Sequence, residues 1–260
     1  MPIKQTKLPC NSANRLLTIL HKAHSIGQEH PELPIRDVFA SAMQIKRTST
    51  AFYAAWAKLF YLIEQLKKEI LQIPEPKSGI YTKAIQEVVK NISLSDLSQS
   101  WEEVMEFKFT LNNPTWHGFQ ILELCALDLG NREIEITPDK LNKFQFDIEK
   151  LLQEIKTLNL NLTIKFFLEE HLNDLKEKID YYQFYGSEGL KKSVENSLGA
   201  LFLKNPEFEP TSESEQKILQ QFLKLLKYIL DILIPVNLQL PETVLNSLDL
   251  RILQHSESSI

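Results

Sequence analysis

Apolar residues recur at steps of three and four along almost the whole chain, which is the repeat of an α-helix with one buried face. The clearest run begins at Thr137-Pro138-Asp139, where a hydroxyl residue, a proline and an acid are typical of a first helical turn. One seam of apolar positions then continues for about three heptads: Leu141, Phe144, Ile148, Leu151, Ile155 and Leu158. This pattern predicts one long amphipathic helix.

A second amphipathic helix follows directly after the break at Asn159-Leu160-Asn161 and extends to Gly186. Its apolar stripe consists of Ile164, Leu168, Leu172, Leu175, Ile179 and Tyr182. Because the connection is so short, the two helices must pack side by side in opposite directions. The sequence therefore predicts a long antiparallel helical hairpin over about residues 137–185.

The rest of the chain is also predicted to be helical, since the only strand-like alternation, Glu133 to Ile136, is four residues long. Glycine, proline and hydroxyl signals bound the further helices at residues 11–25 (with Gly27 as the stop), 35–45, 48–73, 80–91, 100–110, 114–129, 187–204, 215–234 and 241–255. We predict an all-α multi-helix bundle. Its regions are 1–130, 131–204 with the hairpin and a packing helix, and 205–260 after a linker, or one continuous domain.

Composition and charge exclude several partners for this chain. It has 260 residues, 43% hydrophobic and 24% charged, with a net charge of −5. An acidic balance removes the long-range attraction that DNA binding needs, and it disfavours RNA. Only five arginines are present, and the 7 glycines are too few for a Gly-rich phosphate loop. We expect no DNA partner and no cofactor.

Location and membrane contact follow from the cysteines and the apolar runs. Cys10 and Cys125 lie far apart and form no CxxC pair, which is typical of a reducing cytoplasm. Residues 1–10 contain no apolar run of signal-peptide length. The most hydrophobic stretch, Phe222 to Ile234, is too short to cross a bilayer. We expect a cytoplasmic protein without a membrane span.

Catalytic and metal-binding patterns are scarce. His21 and His24 share a helix face near His30 and Cys10, but their spacing matches no standard metal site, so we expect no metal. Arg15 and His21, with five residues between them, resemble the arginine–histidine motif of HEPN-type helical ribonucleases. That resemblance implies a catalytic pair in which the histidine acts as acid and base and the arginine stabilises phosphate charge. It covers two residues only.

Two helices carry candidate partner-binding surfaces. Small side chains at Gly189, Ser193, Ser197 and Ala200 form a stripe along one helix, which lets another backbone approach closely, from this chain or from a partner. The helix 215–234 is apolar over most of its circumference, including Phe222, Leu226, Ile229 and Leu233. Such a helix either lies at the centre of a bundle or docks against another protein.

Two patches resemble an uncharacterised family of all-helical bacterial proteins. The first is Asn14 to Ser25; the second runs from Phe166 to Leu201 and includes Tyr182-x-x-x-Gly186-x-x-Gly189-Leu190, a turn between two helices. The match covers about a fifth of the chain. It implies a bacterial, cytoplasmic origin and no catalytic residues, because that family has no assigned activity.

The sequence favours a non-enzymatic helical adaptor or regulator that binds a protein partner or forms a homo-oligomer through helix packing. Regulation of a bacterial toxin or of an antiphage defence effector is one setting for such a protein. Two alternatives stay open. One is a HEPN-like ribonuclease that uses Arg15 and His21, and the other is a small-molecule-sensing bundle with a pocket near Trp101, Trp116 and Tyr185.

Overall fold

Helices account for nearly all of the regular structure, and the all-α prediction is confirmed. The computed structural model describes residues 9–46, 49–93, 96–103, 114–203 and 212–234. Those ranges contain no strand, and they contain these helices: α1 Ser12–Glu29, α2 Ile35–Ala42, α3 Ser49–Ile70, α4 Lys77–Ser93, α5 Pro114–Leu129, α6 Pro138–Thr157, α7 Leu162–Asp180, α8 Tyr182–Leu203 and α9 Glu213–Leu233.

The chain divides into two units. The N-terminal unit contains residues up to Ile134 and, in addition, the segment Gln183–Gly186. The C-terminal unit contains Glu135–Tyr182 and the chain from Ser187 onwards. The main chain therefore returns to the N-terminal unit for four residues, at the start of α8.

In the N-terminal unit, α1 packs against α2, α3 and α5, and α4 packs against α3 and α5. The core is built from apolar side chains that are almost completely buried, among them Leu16, Leu17, Phe39, Phe52, Leu59, Leu62, Ile63, Ile85 and Leu122. A backbone bridge between Pro34 and Ser100 holds the turn before α2 to the turn before Trp101.

The C-terminal unit contains the predicted hairpin, which is formed by α6 and α7, and α9 packs on α6. The seam is buried as predicted: Phe144, Ile148, Leu151 and Ile155 of α6 face Ile164, Leu168, Leu172, Leu175 and Ile179 of α7. Burying a leucine or phenylalanine side chain contributes roughly 1.5–3 kcal/mol, so this shared core holds the hairpin closed.

Two helix ends differ from the prediction. The first is Gly27, which was expected to stop α1 but lies inside it, since α1 continues to Glu29 and is capped by His30. The Trp101 side chain lies directly against Gly27, in the space that a Cβ would occupy. Glycine is therefore present here to make room for an indole ring.

The second is the turn before α8. The helix after Asn161 was expected to reach Gly186, but α7 ends at Asp180 with Tyr181 as its cap. A new helix, α8, begins at Tyr182 and contains a break at Gly186, where φ is +63°. A left-handed φ interrupts the helical path and is costly for any residue with a Cβ.

Other boundaries move by a few residues. Residues 74–79 were expected to be a linker, yet α4 begins at Lys77, where the Gly79 N–H donates to the Glu75 carboxylate at 3.3 Å. Gly130 ends α5 as predicted, with φ +63°. The predicted helix at 241–255 lies outside the described residues, as do most of the predicted helix at 100–110 and of the linker at 205–214.

None of the helices in the described ranges combines the length and the apolar character that crossing a membrane requires.

Candidate functional site

A buried polar cluster lies at the start of α1, inside the N-terminal unit. Arg15 forms an ion pair with Glu133, and their side chains are only 12% and 4% exposed. The backbone places Glu133: its N–H donates to the Cys10 carbonyl oxygen at 3.1 Å. Asn11 holds the same junction from α1, donating to the carbonyl oxygens of Ala126 and Gly130 at 2.8 and 2.9 Å. The cluster thus joins the start of α1 to the end of α5.

A second carboxylate reaches this cluster from α3. The Ser12 hydroxyl donates to Glu69 Oε2 at 2.7 Å. Burial raises the pKa of the Glu69 carboxyl and the nearby charge of Glu133 raises it further, while the Ser12 hydrogen bond and Arg15 act in the opposite direction. Two acids therefore share one guanidinium, and they differ in how well their negative charge is compensated.

Gly186 contributes its backbone to the same cluster. A Cβ at this position would collide with the Arg15 guanidinium and with the Glu133 carboxylate. The rest of the segment Gln183–Gly186 is also held in the N-terminal unit: the Gln183 side-chain amide donates to the Met43 carbonyl oxygen at 2.6 Å, and Phe184 is fully buried. The two patches that carry the family resemblance therefore meet where Arg15 touches Gly186.

The Cys125 thiol, on the buried face of α5, is not activated. Burial, together with the charges of Glu69 and Asp128, raises its pKa to about 12. Nearby, Asp128 accepts hydrogen bonds from the Tyr81 hydroxyl and, at 3.0 Å, from Lys77 Nζ, and these contacts lower the pKa of Asp128. A thiol that stays protonated at neutral pH is a poor nucleophile. Cys125 is thus a packing residue.

The structure does not bring the candidate ribonuclease pair together. Arg15 is engaged by Glu133 inside the unit, whereas His21 is half-exposed and lies 3.6 Å from a carboxylate oxygen of Glu123. Six residues of α-helix turn through roughly 240° and advance roughly 9 Å, so the two side chains leave α1 on different faces. The ribonuclease hypothesis stays a prediction.

His24 lies nearer the core than His21. Its ring centroid is 6.3 Å from that of Trp101 and 6.5 Å from that of Phe119. Burial lowers the pKa of His24, and the neighbouring His21 lowers it further. Of the predicted sensor residues, Trp101 is buried against Gly27 and Tyr185 contacts Tyr61, while the side chain of Trp116 lies outside the described residues.

The predicted small-residue stripe on α8 faces α7 within the C-terminal unit. Ser193 Oγ donates to the Asp174 carboxylate, and Ser197 Oγ lies 3.1 Å from His171 Nδ1. Ser197 Oγ also donates to the Ser193 carbonyl oxygen at 2.9 Å, so this hydroxyl is already hydrogen-bonded within its own helix. Gly189 and Ala200 are half-buried beside it.

The other predicted partner-binding residues lie on α9, in the core of the C-terminal unit. Phe222, Leu226, Ile229 and Leu233 are all buried. The Phe222 ring packs edge-on against Phe167 of α7, with centroids 6.0 Å apart. The described part of the chain thus covers this arc with its own helices, and binding of a partner there stays a prediction.

An exposed apolar helix face of the N-terminal unit lies on α3 and was not singled out from the sequence. Its outer stripe is Thr50, Tyr53, Ala54, Ala57, Tyr61, Glu64 and Lys68. Tyr53 is 56% exposed and Tyr61 is 41% exposed, and the two small alanines lie between them. We call the surface of Tyr53, Ala54, Ala57 and Tyr61 the α3 face. The sequence does contain a signal for an apolar surface here, because Lys58 is the only charged residue in positions 48–63.

Aromatic rings surround the α3 face. Trp56, half-buried, stacks on Phe52 with centroids 5.4 Å apart, and Phe52 contacts Tyr53 at 5.6 Å. At the other end, the Tyr61 ring lies 5.4 Å from that of Tyr185, which belongs to the segment Gln183–Gly186. Tyrosine and tryptophan are enriched at protein interfaces because they combine a large apolar area with few rotatable bonds.

The residues that flank the α3 face carry a local positive excess. Lys58, Lys67 and Lys68 are the bases on this part of α3; Glu64 is its exposed acid, paired with Lys67 at 2.6 Å, and Glu69 points to the buried cluster, where it binds Ser12. This charge differs in sign from that of the whole chain, which is −5. The α3 face therefore combines exposed aromatics, small residues and a basic border.

The described ranges contain no group of three or more histidine, cysteine, aspartate or glutamate side chains that could hold a metal ion. Comparison with known proteins gives no family model, no curated protein and no solved structure that matches this chain.

Proposed function

We propose that this protein is a non-enzymatic helical adaptor or regulator, and that it binds another protein through the α3 face. The single observation that carries the proposal is the exposed Tyr53–Tyr61 stripe, which is apolar on a helix whose opposite side is already buried. Exposed apolar patches on a protein surface commonly mark sites of interaction. The partner class expected from the sequence, a toxin or an antiphage defence effector, remains part of this proposal.

The chemistry of the surface suggests the form of the partner segment. Ala54 and Ala57 leave a shallow valley between two tyrosine rings, which fits the ridge of side chains on a crossing helix. The basic border of Lys58, Lys67 and Lys68 favours acidic residues beside that ridge. The occupant is therefore an amphipathic helix of a partner protein, with an aliphatic stripe and acidic flanks.

Site-specific crosslinking tests the proposal directly. A photoreactive benzophenone side chain is placed at position 57 of the full chain, and at the exposed position 86 of α4 as a matched control. After irradiation in the native host, we expect a discrete crosslinked partner from position 57 and none from position 86.

A substitution provides the second measurement. Ala57→Arg puts a long charged side chain into the valley without disturbing the helix, and Gln86→Arg adds the same side chain on α4. We expect Ala57→Arg to abolish co-purification of the crosslinked partner and Gln86→Arg to preserve it. A partner that binds Ala57→Arg as well as it binds the wild type would place the interaction elsewhere and overturn the proposal.

A further inference from the structure

The outer face of the α6–α7 hairpin is apolar at both ends and charged in the middle. Phe146 of α6 is 67% exposed, and Phe166 of α7 is 64% exposed with Leu162 beside it. An open groove of about 680 Å³ begins at Phe146, and it is lined by Leu152 together with side chains of both charges: Glu149, Glu154, Lys150, Lys156 and Lys176. This surface belongs to the C-terminal unit, whereas the α3 face belongs to the N-terminal unit.

Contacts across the hairpin place these residues at definite levels along its length. Gln145 bonds to Asp180 at 3.3 Å, and Lys176 bonds to Glu149 at 2.8 Å. In that register Phe166 lies level with Asn159, at the connecting turn. Phe146 lies thirteen residues further back along the chain, nearly all of them in α6, which is roughly 20 Å at 1.5 Å per residue. The two exposed phenylalanines thus mark opposite ends of one face.

Two charges on α6, at positions 149 and 156, are placed so that each meets the opposite sign in a reversed copy, whereas Lys150 and Glu154 pair with each other within the chain. Glu149 lies in the half that carries Phe146, and Lys156 lies in the half that carries Phe166. Among the described residues, Lys156 has no ion-pair partner in its own chain. A two-fold axis between Leu152 and Gln153 makes position 149 of one copy level with position 156 of the other.

We propose that the outer face of the α6–α7 hairpin binds a second copy of this chain, with the two α6 helices antiparallel about that axis. Glu149 of each copy then pairs with Lys156 of the second copy, twice in the dimer. The same operation brings the Phe146 end of one copy to the Leu162–Phe166 end of the other, so both apolar ends are covered. An interface of this kind is isologous, since one surface meets itself.

A charge exchange between two variants tests this pairing. Glu149→Lys places two lysines in contact at each end of the two-fold, and Lys156→Glu places two glutamates there. We expect each variant of the full chain to dimerise at least tenfold more weakly than the wild type, measured by sedimentation velocity over a concentration series. Lys192→Glu, an exposed change on α8, is the matched control and should leave the dimer unchanged.

The decisive measurement is the equimolar mixture of the two variants. In a mixed dimer, the lysine introduced at position 149 of one copy meets the glutamate introduced at position 156 of the other. The second pair joins the native Glu149 and the native Lys156, so both cross-copy pairs are present. We expect the mixture to recover the wild-type dimerisation constant to within about threefold, measured with native mass spectrometry to identify the heterodimer. The intrachain pair between position 149 and Lys176 stays broken in one copy, so only contacts between copies account for recovery.

A third variant tests the apolar ends. Phe166→Asp removes an exposed side chain, so the fold tolerates it, and we expect it to abolish the dimer while the circular dichroism spectrum stays unchanged. A wild-type monomer at all concentrations overturns the proposal, as does a mixture that stays monomeric or a dimer that all three variants preserve. These results do not depend on crosslinking at position 57, so this inference and the proposed function fail separately.

Discussion

At the scale of single residues, the best-defined feature of this protein is a guanidinium shared by two unequal acids. Arg15 forms an ion pair with Glu133, which is almost completely buried. Glu69 accepts a hydrogen bond from Ser12, and its negative charge is compensated less fully by Arg15. A buried charge whose partner is removed is costly, while a carboxylate with a raised pKa is already unfavourable in its charged form. The two acids should therefore respond differently to the same substitution.

We expect Glu133→Gln to lower the free energy of unfolding by roughly 3–5 kcal/mol, because it leaves Arg15 buried without its charged partner. Glu69→Gln keeps an acceptor for the Ser12 hydroxyl and removes an unfavourable charge, so we expect it to raise the melting temperature at pH 7. The measurement is thermal and urea unfolding of both variants.

The stability of the same two proteins at acidic pH is the control for the Glu69→Gln prediction. Because the pKa of Glu69 is raised in the folded protein, the folded protein binds this proton more tightly than the unfolded chain does. Ionised Glu69 therefore destabilises the fold as the pH rises above 4.5, the ordinary pKa of a glutamate. Below that value the wild type and Glu69→Gln should converge in stability. A benefit of Glu69→Gln that persisted unchanged in acid would rule out the charge as its cause.

Glycine gives a second contrast at this scale. Gly186 has φ +63° and its missing Cβ would meet Arg15 and Glu133, so we expect Gly186→Ala to destabilise the protein by roughly 1–3 kcal/mol. Gly199 lies in the same helix with nothing within 4 Å of an added Cβ. Gly199→Ala should therefore stabilise it by about 0.4–1 kcal/mol. Equal effects in chemical denaturation would contradict this distinction.

At the scale of secondary-structure elements, the sequence predicts best where one face of a helix is clearly apolar. The seams of α6 and α7 are apolar at every step, and both helices and their antiparallel pairing are confirmed. The helix end predicted at Gly27 is wrong because that glycine makes room for the Trp101 ring, which is distant in sequence, whereas the boundary predicted at Gly186 coincides with a break in α8 beside Arg15. The local pattern of apolar and polar residues does not predict contacts with side chains that are distant in sequence.

The α3 face was not predicted from the sequence, and the physical reason is a different one. Residues 51–63 are apolar on nearly every side of the helix, so periodicity does not tell which side is covered. Only packing against α1, α4 and α5 decides that Leu59 and Leu62 are buried while Tyr53 and Tyr61 are exposed. The small-residue stripe on α8 faces α7 of the same chain, which is one of the two alternatives that the sequence left open, and binding of a partner there stays a prediction.

The buried face of α5 allows a chemical test of helix packing. Cys125 is fully buried with a pKa of about 12, whereas Cys10 lies outside the helices and is half-buried. We expect a Cys10→Ser variant, which retains only Cys125, to resist an aromatic disulfide reagent at about pH 8 until denaturant is added, because thiolate is the reactive form. Rapid labelling of this variant under native conditions would show that α5 packs less tightly than described.

At the scale of the whole molecule, stability should fall in weak acid. His24 is placed between Trp101 and Phe119, and burial with the neighbouring His21 lowers its pKa below the ordinary 6.5. When the pKa of a histidine is lower in the folded protein than in the unfolded chain, its contribution to the free energy of unfolding is fully present above the unfolded-state pKa. That contribution is lost as the pH falls through the folded-state pKa. The unfolded chain then binds a proton that the folded protein takes up less readily.

We expect the melting temperature to decrease between about pH 7.5 and about pH 5.5, and to decrease less in His24→Phe, which retains an aromatic ring but does not titrate. His30→Phe changes an exposed histidine at the end of α1 and should keep the wild-type dependence on pH. Identical pH dependence in all three proteins would exclude His24 as the group responsible.

The segment Gln183–Gly186 also affects how the protein is made. A ribosome releases the N-terminal unit through Ile134 well before it reaches Phe184, and α6 and α7 are synthesised in between. The site that Phe184 fills therefore stays empty, and Arg15 lacks the Gly186 backbone beside it, throughout that interval. Domains usually complete folding in the order of synthesis. Here the first unit acquires its last core side chain only after the hairpin of the second has emerged.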